Sequence, residues 1–187
     1  AFESANLGDD TFRSLELNLL AFVRPSGEVV YGRVYDPRTA QSAELPAEVE
    51  RALADEAAAM HAVGGGLGRR GVLRFADGPR LVAIRRILRS DNSGPSRGIL
   101  VMGRPFDTEI LAHLGGALDL ALTLRDLDDL PPASDFGRAA VQVSRQDPIA
   151  ILPMSSELIS GFGLIADVHD RPAMVIRHQR TDQINRF

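Results

Sequence analysis

The sequence predicts an α+β fold in which helices flank a mainly antiparallel sheet, with residues 1–187 forming a single domain. Strand patterns follow one another and are joined by turns rich in Gly, Pro and Asp, which is typical of antiparallel hairpins. The elements run in the order hairpin, helix, three strands, helix and closing hairpin, as in α+β proteins. No internal period of about 20–50 residues occurs, so a solenoid is disfavoured.

A short helix and a hairpin are predicted first. Gly8, Asp9, Asp10 and Thr11 offer N-cap residues for a helix that runs through Phe12 and Leu15. The hairpin has an apolar strand at 17–23, a turn at 25–27 and a β-rich strand at 28–35.

The middle of the chain predicts a long helix and three strands. The helix begins at Pro46 and carries apolar residues at helical spacing up to Met60. A second hairpin at 72–76 and 81–88 surrounds the turn Asp77-Gly78-Pro79, and another strand follows at 98–103.

The last third predicts a helix capped by Asp107, a short strand at 120–124 and a closing hairpin. The hairpin strands, 158–168 and 173–178, flank a turn of His, Asp, Arg and Pro. Residues 136–143 fit either a helix or a linker.

The composition excludes several classes of protein. A hydrophobic content of 44% in 187 residues supplies a proper core, and a net charge of −4 without a basic stripe argues against nucleic-acid binding. Cysteine is absent, which excludes disulfides and thiolate chemistry. No stretch reaches the roughly 20 apolar residues that cross a bilayer. Because the chain starts at Ala1 without a signal-peptide pattern, we interpret it as a piece of a longer protein whose flanks hold membrane helices.

Chemically active motifs are missing. The four histidines, at positions 61, 113, 169 and 178, have no partner at metal-ligand spacing on a helix. The glycine run at 64–66 follows a helix and lacks a nucleotide-binding context, and the aspartates at 126, 128 and 129 do not form a calcium loop. We therefore expect no metal, no cofactor and no enzymatic activity.

Four segments resemble the CHASE4 family of extracytoplasmic sensor domains. The run Asn6 to Phe12 resembles the family's early signature, and Pro25 to Tyr31 resembles its first hairpin. The passage Gly98 to Asp107 is similar to the family's strand-to-helix connection, and the closing hairpin from Asp167 to Ile176 also fits.

The resemblance implies a PAS-like or Cache-like sheet with a membrane helix on each side. It places the chain in the periplasm, as the extracytoplasmic part of an inner-membrane protein that acts as a homodimer. The output module after the second membrane helix would be a histidine kinase or a diguanylate cyclase or phosphodiesterase. The family's long leading helix is mostly missing from this sequence.

Mixed polar and apolar strand faces indicate where a ligand would bind. We expect one face of the sheet to pack on the leading helix and the other to form a pocket closed by the helix of residues 46–60. Candidate ligand residues are the aromatic, cationic and thioether side chains on these strands. They are Tyr31, Arg33, Tyr35, Arg85, Met102 and Arg104.

The arginines in this set favour an anionic ligand, since guanidinium groups bind carboxylates through paired hydrogen bonds. The same arginines also fit a surface role in ion pairs, and without the strand register the pocket face stays open. Two other functions fit the sequence. The chain could be a structural or dimerisation module that senses a partner protein or the membrane, or, less favoured, a small soluble enzyme.

Overall fold

A computed structural model describes residues 7–62, 66–91, 93–155 and 158–180. Helices and antiparallel strands make up the fold, so the predicted α+β class is confirmed. The chain divides into two compact units, Ala1–Pro105 and Phe106–Phe187. Each unit has its own antiparallel sheet, whereas the sequence predicted one.

The first unit holds a six-stranded sheet and two helices. Its elements are α1 (Asp9–Ser14), β1 (Leu19–Val23), β2 (Val29–Asp36), β3 (Gln41–Glu44), α2 (Ala47–Ala62), β4 (Gly68–Phe75), β5 (Gly78–Arg86) and β6 (Ile99–Pro105). The strand order is β3-β2-β1-β6-β5-β4, and all neighbours are antiparallel. Both predicted hairpins are therefore present, and β6 lies between them.

Strand β3 was not predicted from the sequence. Its four residues, Gln41–Glu44, are all exposed and show no apolar alternation. They pair with the end of β2, where Arg33 lies opposite Glu44. Pairing at the sheet edge, rather than burial, makes this segment a strand.

One face of the first sheet is covered by α2. The helix contacts β1, β2, β4 and β6, and the residues predicted to form its apolar side are buried: Val49, Leu53, Ala57 and Met60. Beneath it the sheet contributes a row of buried aliphatic side chains. They include Leu19, Ala21, Val23, Val82, Ile84 and Val101.

Among the described residues, aliphatic side chains fill the space beneath this helix, where the sequence predicted a pocket. A side chain at Gly32 of β2 would collide with Leu45, so the packing requires glycine there. The cavity beside Met60 and Ile99 has a volume of about 10 Å³, which is room for a single water molecule. The described part of the face under α2 is thus a closely packed core.

The second unit holds a four-stranded sheet and two helices. Its elements are α3 (Thr108–Leu118), β7 (Leu120–Asp126), α4 (Asp135–Gln142), β8 (Ile149–Pro153), β9 (Ile159–Ala166) and β10 (Pro172–Arg180). The strand order is β7-β10-β9-β8. Since β6 already pairs on both sides with β1 and β5, β7 cannot join beside it.

Capping explains where the two helices of this unit begin. The Asp107 side chain accepts hydrogen bonds from the backbone N–H groups of Glu109 and Ile110, at 3.0 and 3.1 Å, as predicted. Ser134 caps α4 by accepting from the N–H of Gly137 at 3.0 Å. The segment that fitted either a helix or a linker is therefore a helix.

Helix α4 packs on one face of the second sheet. Its core contains Phe136, Ala139, Leu152, Phe162 and Val175. The Phe136 and Phe162 rings meet edge to face, with centroids 5.4 Å apart. In the part of the chain that the structure describes, no helix is long and apolar enough to span a membrane.

Candidate ligand-binding groove

The strand register brings the six predicted ligand residues to one face of the first sheet. Directly paired residues on antiparallel strands point to the same side, and every second residue along a strand returns to it. Applied to β1, β2, β5 and β6, this rule groups all six. They are Tyr31, Arg33, Tyr35, Arg85, Met102 and Arg104.

This face packs against α1 and not against α2. Phe12 of α1 is buried and stacks on Tyr35, with ring centroids 5.5 Å apart. Leu20 completes this core cluster, and Tyr31 and Met102 pack against it. Tyr35 and Met102 therefore help to hold α1 on the sheet.

Two of the predicted arginines have carboxylate partners. Arg33 lies 3.6 Å from Glu44, and Arg104 lies 3.4 Å from Glu16. Arg104 also donates to the backbone carbonyl of Leu15 at 3.1 Å, just after α1 ends. Arg104 thus holds the end of α1, as expected for a cation at a helix C-terminus. Arg85 is exposed on the same face.

Tyr31 connects the sheet to the segment before α1. Its hydroxyl donates a hydrogen bond of 2.6 Å to the backbone carbonyl of Leu7. Its ring meets Phe22 edge to face, with centroids 6.2 Å apart. Tyr31 is half-buried.

Tyr31 lines a groove of about 320 Å³. This volume is at the lower end of the range for small-molecule sites. The groove is lined by Leu7, Phe22, Val23, Arg24, Val30, Tyr31, Ile87 and Arg97. Most of this surface is apolar, and two arginines supply its positive charge.

The two arginines of the groove differ in how they are paired. Arg24 forms an ion pair of 2.6 Å with Glu28. The Arg97 side chain is exposed and has no hydrogen bond or ion pair to any described residue. Its guanidinium is therefore available to an anion in the groove.

The backbone around Arg97 is fixed although its side chain is not. The Arg97 N–H donates to the carbonyl of Ile87, and the Ile87 N–H donates to the carbonyl of Gly98, both at 2.9 Å. Gly98 has a φ of +140°, and a side chain there would collide with the carbonyl oxygen of Val23. Glycine at this position lets β6 begin close against β1, which places Arg97 at the rim.

Of the six predicted ligand residues, only Tyr31 lines the groove. Sequence analysis missed Phe22, Ile87 and Arg97 because no local pattern shows that β6 pairs with β1. Among the described residues, no group of His, Asp and Glu is arranged to hold a metal ion.

Known sensor domains share this fold. One is the extracellular domain of vpHK1S-Z8, assigned as a histidine kinase, with a TM-score of 0.58, 16% identity, and coverage of 96% of this chain and 75% of that one. Another is a domain of a sensory box/GGDEF family protein from Vibrio parahaemolyticus, with a TM-score of 0.55, 14% identity, and coverage of 95% and 77%. The fold is therefore that of extracytoplasmic sensor domains. No curated protein matches the chain significantly.

The sequence itself identifies the family. Residues 1–125 match the CHASE4 domain, so the chain belongs to the CHASE4 family. It is an extracytoplasmic sensory domain of a signalling receptor, as the sequence resemblance implied. The match covers the whole first unit and ends within β7, at Arg125. The groove thus lies in the part of the chain that defines the family.

Proposed function

We propose that this sensory domain binds a small anionic molecule with an apolar part in the groove beside Tyr31, and that it catalyses no reaction. Binding would change the position of the segment from Leu7 to Ser14. A membrane-bound output module, a histidine kinase or a diguanylate cyclase or phosphodiesterase, would respond to that change. The observation that carries the proposal is the Tyr31 side chain, whose ring lines the groove while its hydroxyl holds Leu7.

The groove offers two kinds of contact to such a ligand. Phe22, Val30 and Ile87 supply apolar surface, and burying it stabilises the complex by about 25 cal/mol per Å². Arg97 supplies a guanidinium that suits a carboxylate through paired hydrogen bonds. A molecule with a carboxylate and a short apolar chain would use both.

The segment between Leu7 and Leu15 is held at two points. Tyr31 binds the Leu7 carbonyl at 2.6 Å, and Arg104 binds the Leu15 carbonyl at 3.1 Å. A ligand that favours one orientation of the Tyr31 ring shifts the population of the segment's positions. In this proposal Tyr31 contacts the ligand, and Arg104, Tyr35 and Met102 position α1.

A thermal-shift screen of the purified domain tests the proposal. The compounds would be amino acids, short-chain carboxylates, dicarboxylates and uncharged analogues of each. A ligand at 100 times its dissociation constant should stabilise the fold by about 2.7 kcal/mol. Arg97→Gln should weaken binding at least tenfold, because the carboxylate loses its cation. The matched control is Arg38→Gln, an exposed arginine outside the groove.

Two results would contradict this function. A ligand that binds equally well to the Arg97→Gln protein does not use the groove as proposed. A domain that responds to no small molecule at millimolar concentration is not a direct ligand sensor.

A second candidate function, homodimerisation, is favoured by an apolar surface on the second unit. Ile149 and Ile151 of β8 and Ile159 of β9 are 61%, 68% and 64% exposed. They lie at the edge of the sheet, where β8 pairs with β9 alone among the described strands. Large exposed apolar groups on an edge strand are typical of an interaction surface.

Sedimentation of the domain at several concentrations tests this candidate. We expect a concentration-dependent dimer that Ile151→Ser abolishes, while the melting temperature at low concentration stays unchanged. A monomer at all concentrations would leave ligand sensing as the only proposed function.

A further inference from the structure

Two arginines of the second unit lie side by side on the face that α4 covers. Arg177 of β10 pairs with Thr123 of β7, and Arg125 of β7 pairs with Val175 of β10. The two arginines are therefore diagonal neighbours on one face of an antiparallel pair. At that separation two long cationic side chains reach the same point.

Both guanidinium groups lie over the ring of Phe136. The central carbon of Arg177 is 5.3 Å from the ring centroid, and that of Arg125 is 5.9 Å from it. Phe136 is buried and packs edge to face on Phe162, so its ring is a fixed platform. The cation–π contacts offset part of the repulsion between the two positive charges.

Neither arginine has an acidic partner among the described residues. Arg177 contacts the Thr123 hydroxyl at 3.5 Å, the long limit of a hydrogen bond, and its Nε is buried without an acceptor. Arg125 donates to the carbonyl of Leu124 at 3.0 Å. A buried donor left unpaired costs about 1–3 kcal/mol, so this arrangement is unfavourable as it stands.

Two other arginines of the same unit, Arg138 and Arg171, have carboxylate partners. Arg138 lies 2.6 Å from Asp135, and Arg171 lies 2.8 Å from Asp167. The chain has 25 acidic residues against 21 basic ones, so carboxylates are not scarce. Two adjacent arginines with spare donors therefore point to a partner from outside the chain.

We propose that Arg125 and Arg177 form an anion-binding site in the second unit, which takes the carboxylate or phosphate group of a small molecule. The anion accepts from both guanidinium groups, each of which presents donors in a planar fork. Phe136 holds the two groups in place, and Thr123 offers a hydroxyl beside them. This site is separate from the groove of the first unit and goes beyond the function proposed above.

The experiment is a titration of the intact domain with inorganic phosphate and with citrate, at constant ionic strength set with chloride. The Nε–H resonances of the arginines are followed by nuclear magnetic resonance. We expect saturable shifts of the Arg125 and Arg177 Nε–H signals at millimolar anion, because an anion bound at either guanidinium group changes the environment of its Nε–H. Phosphate and citrate distinguish a site for phosphate groups from a site for carboxylate groups, because the preferred anion saturates the site at the lower concentration.

Two substitutions test the assignment without depending on a single variant. Arg177→Met and Arg125→Met keep an unbranched side chain beside Phe136 and remove the charge. Each should weaken the anion response at least tenfold, while the melting temperature without anion falls little or rises. Arg138→Met, at an exposed arginine that pairs with Asp135, should leave the response unchanged.

Either of two outcomes would overturn this site. One is a wild-type protein whose arginine signals do not saturate with phosphate or citrate. The other is a saturable response that survives both the Arg125→Met and Arg177→Met substitutions. Arg97→Gln, in the first unit, should leave the response intact, so a failure of the groove and a failure of this site are told apart.

Discussion

The two faces of the first sheet differ in what covers them. The face under α2 is filled with aliphatic side chains that are almost wholly buried, such as Leu19, Leu53 and Ile84. The face under α1 carries tyrosines, arginines and a methionine, and it borders the groove. The same strands build both faces, so the alternation of side chains along them separates the aliphatic core from the proposed ligand-binding face.

The lengths of the two helices account for this difference. The 16 residues of α2 make a helix about 24 Å long, which matches the width of about 24 Å of six strands. The six residues of α1 make a helix about 9 Å long, about a third of that width. A short helix leaves part of its face available for a ligand.

The largest loss of stability should come from a substitution on the face under α2. Leu53 is fully buried there, so Leu53→Ala should lower the free energy of unfolding by about 2–5 kcal/mol through lost burial and a cavity. Urea denaturation measures this loss. Leu67→Ala, at a leucine that is 53% exposed, is the control and should change little. A loss below about 1 kcal/mol for Leu53→Ala would show that the α2 face is not tightly packed.

Adding atoms to the α2 face should also destabilise it. Gly32→Ala places a methyl group against Leu45, and overpacking of this kind costs about 1–3 kcal/mol. Gly116→Ala on α3 is the matched control, because a side chain there meets nothing within 4 Å. The control should stabilise the domain by about 0.5–1 kcal/mol, since alanine favours a helix over glycine. Equal melting temperatures for the two variants would contradict the close packing of this core.

A substitution on the α1 face should change the output of the receptor more than the stability of the domain. Tyr31→Phe removes the hydrogen bond to Leu7 and should cost about 0.5–1.5 kcal/mol. In the full receptor it should reduce the output change on ligand addition while ligand affinity stays within about threefold. Tyr35→Phe is the control, since the Tyr35 hydroxyl has no hydrogen bond to a described residue. Normal output from the Tyr31→Phe receptor would show that Leu7 does not transmit the signal.

The smallest loss of stability should come from removing the charge of Asp77, which pairs with Arg80 at the margin of the face under α2. Arg80 is buried there, and Asp77 accepts two hydrogen bonds from it, at 2.7 and 2.6 Å. The side-chain hydrogen bonds from Arg80 hold the pKa of Asp77 below its ordinary value. The carboxylate therefore stabilises the fold above its ordinary pKa, and this contribution disappears as the pH falls through the lowered pKa.

Asp77→Asn tests that linkage. Because the Asp77 side chain is 62% exposed, we expect the variant to lose less than about 1 kcal/mol at pH 7. The difference from the wild type should shrink as the pH falls below the ordinary pKa of an aspartate, about 3.9, and should close once the pH is below the lowered pKa of folded Asp77. Thermal unfolding at several pH values measures both quantities. A difference that grows on acidification would contradict the stated direction of the pKa shift.

Much of the fold could be predicted because its signals are local. Turn residues marked the hairpins, helical spacing marked α2, and the capping aspartate at 107 marked α3. Strand β3 escaped prediction because all four of its residues are exposed. Strand β8 escaped it because apolar residues occupy both of its faces: Ala150 and Leu152 are buried, and Ile149 and Ile151 are exposed. The split into two sheets could not be seen because pairing between distant strands leaves no local pattern.

The candidate groove was only partly predictable for the same reason. Tyr31 was predicted because it shares a mixed polar and apolar strand face with Arg33 and Tyr35. Arg97 lies just before β6, and its position beside Phe22 depends on the pairing of β6 with β1. Arg33 and Arg104 form ion pairs with exposed carboxylates, as arginines on strands commonly do.

The central position of β6 also determines the order in which the first unit can fold. Its neighbours, β1 and β5, belong to two hairpins that are both synthesised before it. Leu19 of β1 meets Gly103 of β6, about 80 residues later, and contacts over such separations form slowly. Until β6 arrives, each hairpin exposes an unpaired strand edge that can pair with another chain. Truncation before Ile99 should therefore yield an aggregating product rather than a smaller folded domain.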